Sequence, residues 1–264
     1  MAIFKTVLKA IAQGSMEVLP LSRDGHMAIY RSLFNRPQAE DVTMLLVIYI
    51  AVFAAGLIYF FKEIKTICVS GVTYKGKLTF NCFISAVTAF VCSFVLSFPA
   101  EYLKQNFVRV GIVYTVTSVL TLVFVSIKQL GHGRLRENKM PITYALLIGA
   151  VAGIGILPGA CGIGLMIVTT VFLGFDKKFA LRYSFFAYVP VMIIKIVTII
   201  MRSGEDPGKL ICFTPDMLIT FAASGVAAYF SIMLLSYCIK NKYLKYFAYY
   251  GFLIGISSIM WQFL

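Results

Sequence analysis

The sequence predicts an all-α polytopic membrane protein: six transmembrane helices and two re-entrant helical hairpins in an inverted repeat. Three observations predict it. The 264 residues are 60% apolar and only 13% charged, with a mean hydropathy of +0.88, outside the range of soluble globular domains. Two apolar stretches, one in each half, are interrupted at a matching Leu-Pro: Ser15-Met16-Glu17-Val18-Leu19-Pro20 and Gly153-Ile154-Gly155-Ile156-Leu157-Pro158. Paired broken segments at corresponding positions point to a binding site between inverted repeats. Finally, the basic loops fall on one side of the bilayer only if the second stretch turns back on itself.

One membrane domain accounts for the whole of 1–264, with pseudo-repeats 1–135 and 136–264. The net charge of +13 does not mark a nucleic-acid partner, because the basic residues are dispersed between hydrophobic segments and form no stripe or arm. Lysines facing anionic membrane lipids explain it better. The cysteines Cys68, Cys82, Cys92, Cys161, Cys212 and Cys238 occur singly, without metal-ligand or C-x-x-C spacing, and read as small buried hydrophobes. Gln13 and Glu17 interrupt the first apolar run, which argues against a cleaved signal peptide.

In chain order, residues 1–12 read as a short helix, too short to cross about 30 Å of hydrocarbon at about 1.5 Å per residue. Pro20 and Gly25 are expected to break it, and 26–34 to run on as a second short piece. Such irregular backbone is tolerated at depth only where it lines a cavity. Spans are expected at 42–61, 79–99 and 108–127, each about 20 apolar residues. Residues 128–142, with Gly131, Gly133 and Pro141, form the midpoint, and His132 there reads as a solvated loop residue. Glycines and Pro158 break 143–174 into the second hairpin. Spans at 183–200, 216–236 and 246–263 complete the chain. Lys62, Lys65, Lys75, Lys77, Arg136, Lys177, Lys178, Arg182, Lys240, Lys242 and Lys245 then share the cytoplasmic side. Glu40, Asp41, Glu101, Glu205 and Asp206 fall opposite. Lys195, inside the fourth span, is expected to snorkel to the interface near Arg202.

The first polar stretch runs Gln13-Gly14-Ser15-Met16-Glu17-Val18-Leu19-Pro20-Leu21-Ser22-Arg23-Asp24-Gly25-His26. Ionisable groups at membrane depth cost a few kcal/mol each and normally face a functional cavity. Its residue order resembles the undecaprenyl pyrophosphate phosphatase (bacitracin-resistance) family, whose first motif reads E-G-x-x-E-x-L-P-x-S-S-T-G-H. Gly14, Glu17, Leu19, Pro20, Ser22, Gly25 and His26 stand in register; Gln13, Arg23 and Asp24 replace a glutamate, a serine and a threonine. The family's second motif, P-G-x-S-R-S-G-x-T, is similar to Pro158 through Met166. Pro158, Gly159 and Gly164 are kept, whereas Cys161, Gly162, Ile163 and Met166 replace serine, arginine, serine and threonine. The stretch from Ala180 through Tyr183-Ser184-Phe185 to Pro190 is similar to a third, A-x-x-F-S-F-x-x-x-x-P.

The resemblance implies a bacterial plasma-membrane enzyme that releases phosphate from a polyprenyl diphosphate and so regenerates a cell-wall lipid carrier. It implies Glu17 and His26 as catalytic groups, and a substrate surface of Gln13, Ser22, Arg23, Asp24, Gly159, Cys161, Gly162 and Gly164. Glu17 with Asp24 is the candidate pair for a divalent cation, Mg2+ or Ca2+, bridging phosphate oxygens. An arginine fork is the usual instrument for phosphate recognition. With Gly162 in that position, Arg23 is the candidate replacement: Arg23→Ala is expected to abolish binding and hydrolysis, and Gly162→Arg to restore them in part. Backbone N–H groups of Gly159 to Gly164 are a second candidate anion holder; close helix packing is the alternative use of those glycines. Ser22 has the plainer reading of a helix cap. The alternative function is a catalytically degenerate relative that binds or translocates a polyprenyl phosphate or diphosphate. A homodimer stays open.

Overall fold

A computed structural model describes residues 2–33, 42–69, 73–126, 135, 140–203 and 214–263. Glu40, Asp41, Lys128, Gly131, His132, Gly133, Arg134, Arg136, Lys139, Glu205, Asp206 and Cys212 lie outside the described residues.

Helices α1 (Ala2–Val18) and α2 (Arg23–Leu33) form the first broken pair. The break is shorter than the sequence suggests. α1 runs through Gln13 and Glu17, and Gly25 lies inside α2, so the expected stop at 12 and the break at Gly25 are both corrected. Pro20 does end the first arm, because a proline lacks the N–H and crowds the preceding turn. The Ser22 hydroxyl then caps α2 by accepting from the Gly25 N–H at 3.2 Å. The second pair is α7 (Ile142–Ile154) and α8 (Gly162–Phe172), separated by the Pro158 turn.

Between and after the pairs stand α3 (Val42–Tyr59), α4 (Phe61–Val69), α5 (Thr73–Lys104), α6 (Phe107–Ser126), α9 (Lys177–Ser203), α10 (Pro215–Lys240) and α11 (Leu244–Met260). Among the described residues, five helices are long and apolar enough to cross a membrane: α3, the Lys77–Lys104 part of α5, α6, the Lys177–Val197 part of α9, and α10. α11 has 17 residues and continues into a short 3-10 turn, Trp261–Phe263. The unanticipated α4 occupies part of the basic loop after the first span. Asn106 caps α6 through its Oδ1, which accepts from Val108 N at 2.8 Å. Thr214 caps α10, with Pro215 at the first helical position, where a proline's missing donor costs nothing.

The outward faces remain apolar, with Phe83, Phe90, Phe94 and Phe98 exposed along α5, as lipid contact requires. α8 is the opposite case: all its residues from Gly162 to Val171 are buried, so an apolar sequence on every face becomes the centre of the bundle. The same buried core holds Tyr49, Ile148, Phe179, Tyr183, Phe185 and Ile232. Small residues bring the helices together. A side-chain carbon on Gly56 would overlap the Phe185 ring, and Gly111 and Gly255 bring α6 and α11 into backbone contact. Tyr183, in the third motif-like stretch, shares a 2.6 Å hydrogen bond with the Ser85 hydroxyl and donates to the Asn81 carbonyl at 2.9 Å. That residue is a fastener between α9 and α5.

Candidate functional site

The tips of the two broken pairs touch. Ser22 Oγ, besides capping its own helix, accepts from the Gly159 N–H at 2.9 Å. The Cys161 thiol donates to the Leu19 carbonyl at 3.4 Å. Gly159 sits at φ +103°, a conformation that side chains resist, and a Cβ there would stand 2.8 Å from the Val110 carbonyl. Gly25 is equally constrained, since a Cβ would stand 2.6 Å from the Tyr114 ring and 2.7 Å from Gly159 N. Glycine at 25 and 159 is what lets α2, α6 and the Pro158 turn close on one another. The contact has a direct check. A Cβ on Gly164 would lie 2.7 Å from the Pro20 Cβ and 3.6 Å from Cys161 Sγ. With the other cysteines replaced, Pro20→Cys is therefore expected to cross-link to Cys161 under mild oxidation or with a short bis-maleimide. Folded protein that fails to cross-link would contradict the junction.

A charge cluster is buried at this junction. Glu17 Oε1 accepts from Lys195 Nζ at 3.1 Å, and its Oε2 lies 3.7 Å from Arg23 Nε. Arg23 Nη2 in turn donates to Asp24 Oδ1 at 2.7 Å. Side-chain exposure is 4% for Glu17 and Arg23, 10% for Lys195 and 19% for Asp24. Two acids face two bases, so the formal charge is zero, the condition under which buried ions are tolerated. The Tyr49 ring lies under both cations, 5.2 Å from Arg23 Cζ and 5.5 Å from Lys195 Nζ. Lys195 does not snorkel: it turns inward because a buried carboxylate is a better partner than distant headgroups. Sequence reasoning missed this role. The signal was a lone lysine in the middle of a span, which by default marks a functional position.

His26 belongs to a second, adjoining arrangement. Its Nδ1 lies 2.8 Å from the Ser22 carbonyl oxygen and 2.6 Å from the Tyr114 hydroxyl, and its Nε2 lies 2.8 Å from the Tyr250 hydroxyl. Tyr114 also donates to the Ser22 carbonyl at 2.8 Å. The imidazole is stacked on Tyr250 and set edge-on to Tyr114. Thus Glu17 faces α9 while His26 faces α6 and α11. Ser22 stands between them and lines both narrow cavities of the junction, of about 40 and 10 Å3. Tyr114 and Tyr250 carried no sequence signal, since tyrosines abound in this chain.

The remaining expected site residues are placed as follows. Cys161 and Gly162 line the smaller cavity with Glu17, Arg23, Asp24 and Lys195; Gly159 and Gly164 line the larger. Gln13 does not reach either: it is buried and its amide points to Met27 Sδ at 3.5 Å. Within the glycine turn, Gly159 N is given to Ser22 and Ala160 N to the Leu157 carbonyl. Space at 162 is tight: a Cβ there would stand 2.9 Å from the Tyr188 ring and 3.0 Å from the Ala152 carbonyl, so an arginine at this position requires the Tyr188 ring to shift. The Arg23 guanidinium lies against both carboxylates of the candidate cation pair, 3.7 Å from Glu17 and 2.7 Å from Asp24.

Comparison with known proteins decides the family. A family model described as bacitracin resistance protein BacA matches residues 6–257. The chain belongs to the BacA family. Among curated members, undecaprenyl-diphosphatase 1 of Bacillus licheniformis is 27% identical, with 98% of each chain covered. The undecaprenyl-diphosphatase of Treponema denticola is 28% identical, over 100% of this chain and 99% of the relative. That of Methanococcus maripaludis is 26% identical, over 96% and 98%. The BacA match embraces both broken helix pairs and the charge cluster between them. Within it, this BacA chain keeps Pro20, Gly25, His26, Pro158 and Gly159 of the motifs quoted above, and builds its buried positive charge from Arg23 and Lys195.

Proposed function

We propose that the chain is an integral membrane phosphatase of polyprenyl diphosphates, acting on the undecaprenyl carrier of cell-wall synthesis in the plasma membrane. The observation that carries the proposal is the buried cluster of Glu17, Arg23, Asp24 and Lys195 where two broken helix pairs meet. Two cations are held there inside an apolar bundle, against the cost of burial. A diphosphate brings several negative charges, and its hydrolysis needs them neutralised while a proton moves. In the proposed reaction, water adds to the terminal phosphorus, the phosphoanhydride bond breaks, and the products are polyprenyl monophosphate and inorganic phosphate. Phosphate oxygens compete with Glu17 for the cations and release its carboxylate to accept the proton of the attacking water. His26, held between the Ser22 carbonyl, Tyr114 and Tyr250, serves as the second proton carrier.

Hydropathy and packing support six spans and two re-entrant hairpins. α11 with its terminal 3-10 turn reaches about 30 Å at about 1.5–2 Å per residue. The packing pairs also exchange as an inverted repeat demands: α1 lies against α10 and α7 against α5, while α6 lies against α11. On this reading Lys75, Arg136, Lys178 and Lys242 are cytoplasmic. Cysteines placed singly at those positions, in a background without native cysteines, are expected to resist an impermeant thiol reagent in intact cells. Labelling from outside at any one of them would reverse or break the topology.

One observation favours the alternative of a lipid-phosphate binder or transporter: the second tip offers only Gly162 where an arginine fork would bind, and Tyr188 closes that space. Phosphate release from undecaprenyl diphosphate by purified protein separates the two. The phosphatase reading predicts release; binding without release, with or without added divalent cation, selects the transporter.

A further inference from the structure

We propose that Lys195, on the spanning helix α9, is the residue that grips a phosphate oxygen of the ligand at the hairpin junction; this rests on the polyprenyl-diphosphate reading above. A cation whose only task was stability would be an expensive choice. Buried ion pairs are often matched or bettered by apolar side chains of similar volume, and a span offers many of those. Lys195 instead lines the same cavity as the tips of both broken pairs, with Ser22, Cys161 and Gly162 on its walls. Arg23 is bracketed by two carboxylates, Glu17 and Asp24. The Lys195 ammonium gives one of its three donors to Glu17, and the Tyr188 and Tyr49 rings stand 5.8 and 5.5 Å from it.

The surroundings also show how an anion reaches it. The cavity, about 10 Å3, holds about one water, so a phosphate oxygen enters by taking the place of Glu17 Oε1 on Nζ. This exchange substitutes one anionic oxygen for another and leaves the ammonium paired throughout. Gly162 is part of the same device: without a side chain it leaves the Tyr188 ring in place beside the ammonium.

The test uses full-length protein in lipid nanodiscs, with farnesyl diphosphate and the phosphate-free alcohol farnesol as probes. Lys195→Met is expected to weaken diphosphate binding about 10- to 100-fold, the usual worth of a charge-assisted contact, and to leave farnesol binding unchanged. Lys195→Arg is expected to recover most of the loss. Because Lys195→Met alone strands Glu17, the pair Glu17→Leu with Lys195→Met provides a charge-balanced form, expected to bind the diphosphate as weakly. Diphosphate binding within threefold of wild type in either folded Met variant overturns the proposal, as does an equal loss for farnesol. Wild-type protein that binds farnesol but not the diphosphate removes the functional reading itself, and the inference with it.

Discussion

His26→Ala is expected to lower phosphate release by about 10^2- to 10^4-fold, the usual contribution of a positioned acid or base, while diphosphate affinity stays within about threefold. The separation follows from geometry. His26 takes no part in the Glu17–Lys195–Arg23–Asp24 cluster; it is clasped by the Ser22 carbonyl on one nitrogen and the Tyr250 hydroxyl on the other. Removing it therefore takes away a proton carrier and leaves the cations in place, and a group that acts in the transition state shows in turnover more than in binding. Tyr250→Phe removes the partner of Nε2 without removing the ring it stacks on, so a smaller loss is expected. Single-turnover release with a matched binding measurement is the check. Unchanged release in His26→Ala would assign the chemistry elsewhere; a collapse of binding would place the imidazole on the ligand itself.

Glu17→Leu should have the largest effect on the fold. It leaves Arg23 and Lys195 buried with Asp24 as their one remaining carboxylate in the cluster. Stripping a buried ion of its partner costs about 3–5 kcal/mol, which for a chain of this size corresponds to a melting point lower by roughly 10 °C. Adding Lys195→Met restores the charge balance and is expected to recover most of that loss, a non-additivity that marks direct coupling. Thermal unfolding of the four proteins in one detergent measures it. Additive shifts, or a Glu17→Leu protein that melts within a degree or two of wild type, would show that water already reaches the cluster.

Much of this architecture was legible residue by residue. Pro20 and Pro158 mark the two helix breaks, whereas Pro99 is accommodated inside α5, and the runs beginning near Val42, Phe107 and Pro215 are apolar over a span's length. The polar stretch from Gln13 to His26 stood out by contrast with its surroundings. Its internal structure was less legible. Gly25 was read as a breaker, but Ser22 caps α2 three residues earlier and tertiary contact with Tyr114 and Gly159 rewards a glycine inside the helix. Gln13 shares the stretch yet turns toward Met27, because a helix sends neighbours in the sequence to different faces.

What the sequence by itself determined was the helical membrane class, the two breaks and the family motifs, all of them local properties: hydropathy decides the partition of a segment into lipid, and Pro20 and Pro158, each with glycines close by, interrupt it. What only the tertiary structure decided was who meets whom. Glu17 finds Lys195 at a separation of 178 residues, Ser22 finds Gly159 at 137 and His26 finds Tyr250 at 224. Those pairings depend on how glycine-lined helices pack, and on the rule that a buried charge or donor must find a partner somewhere in the bundle.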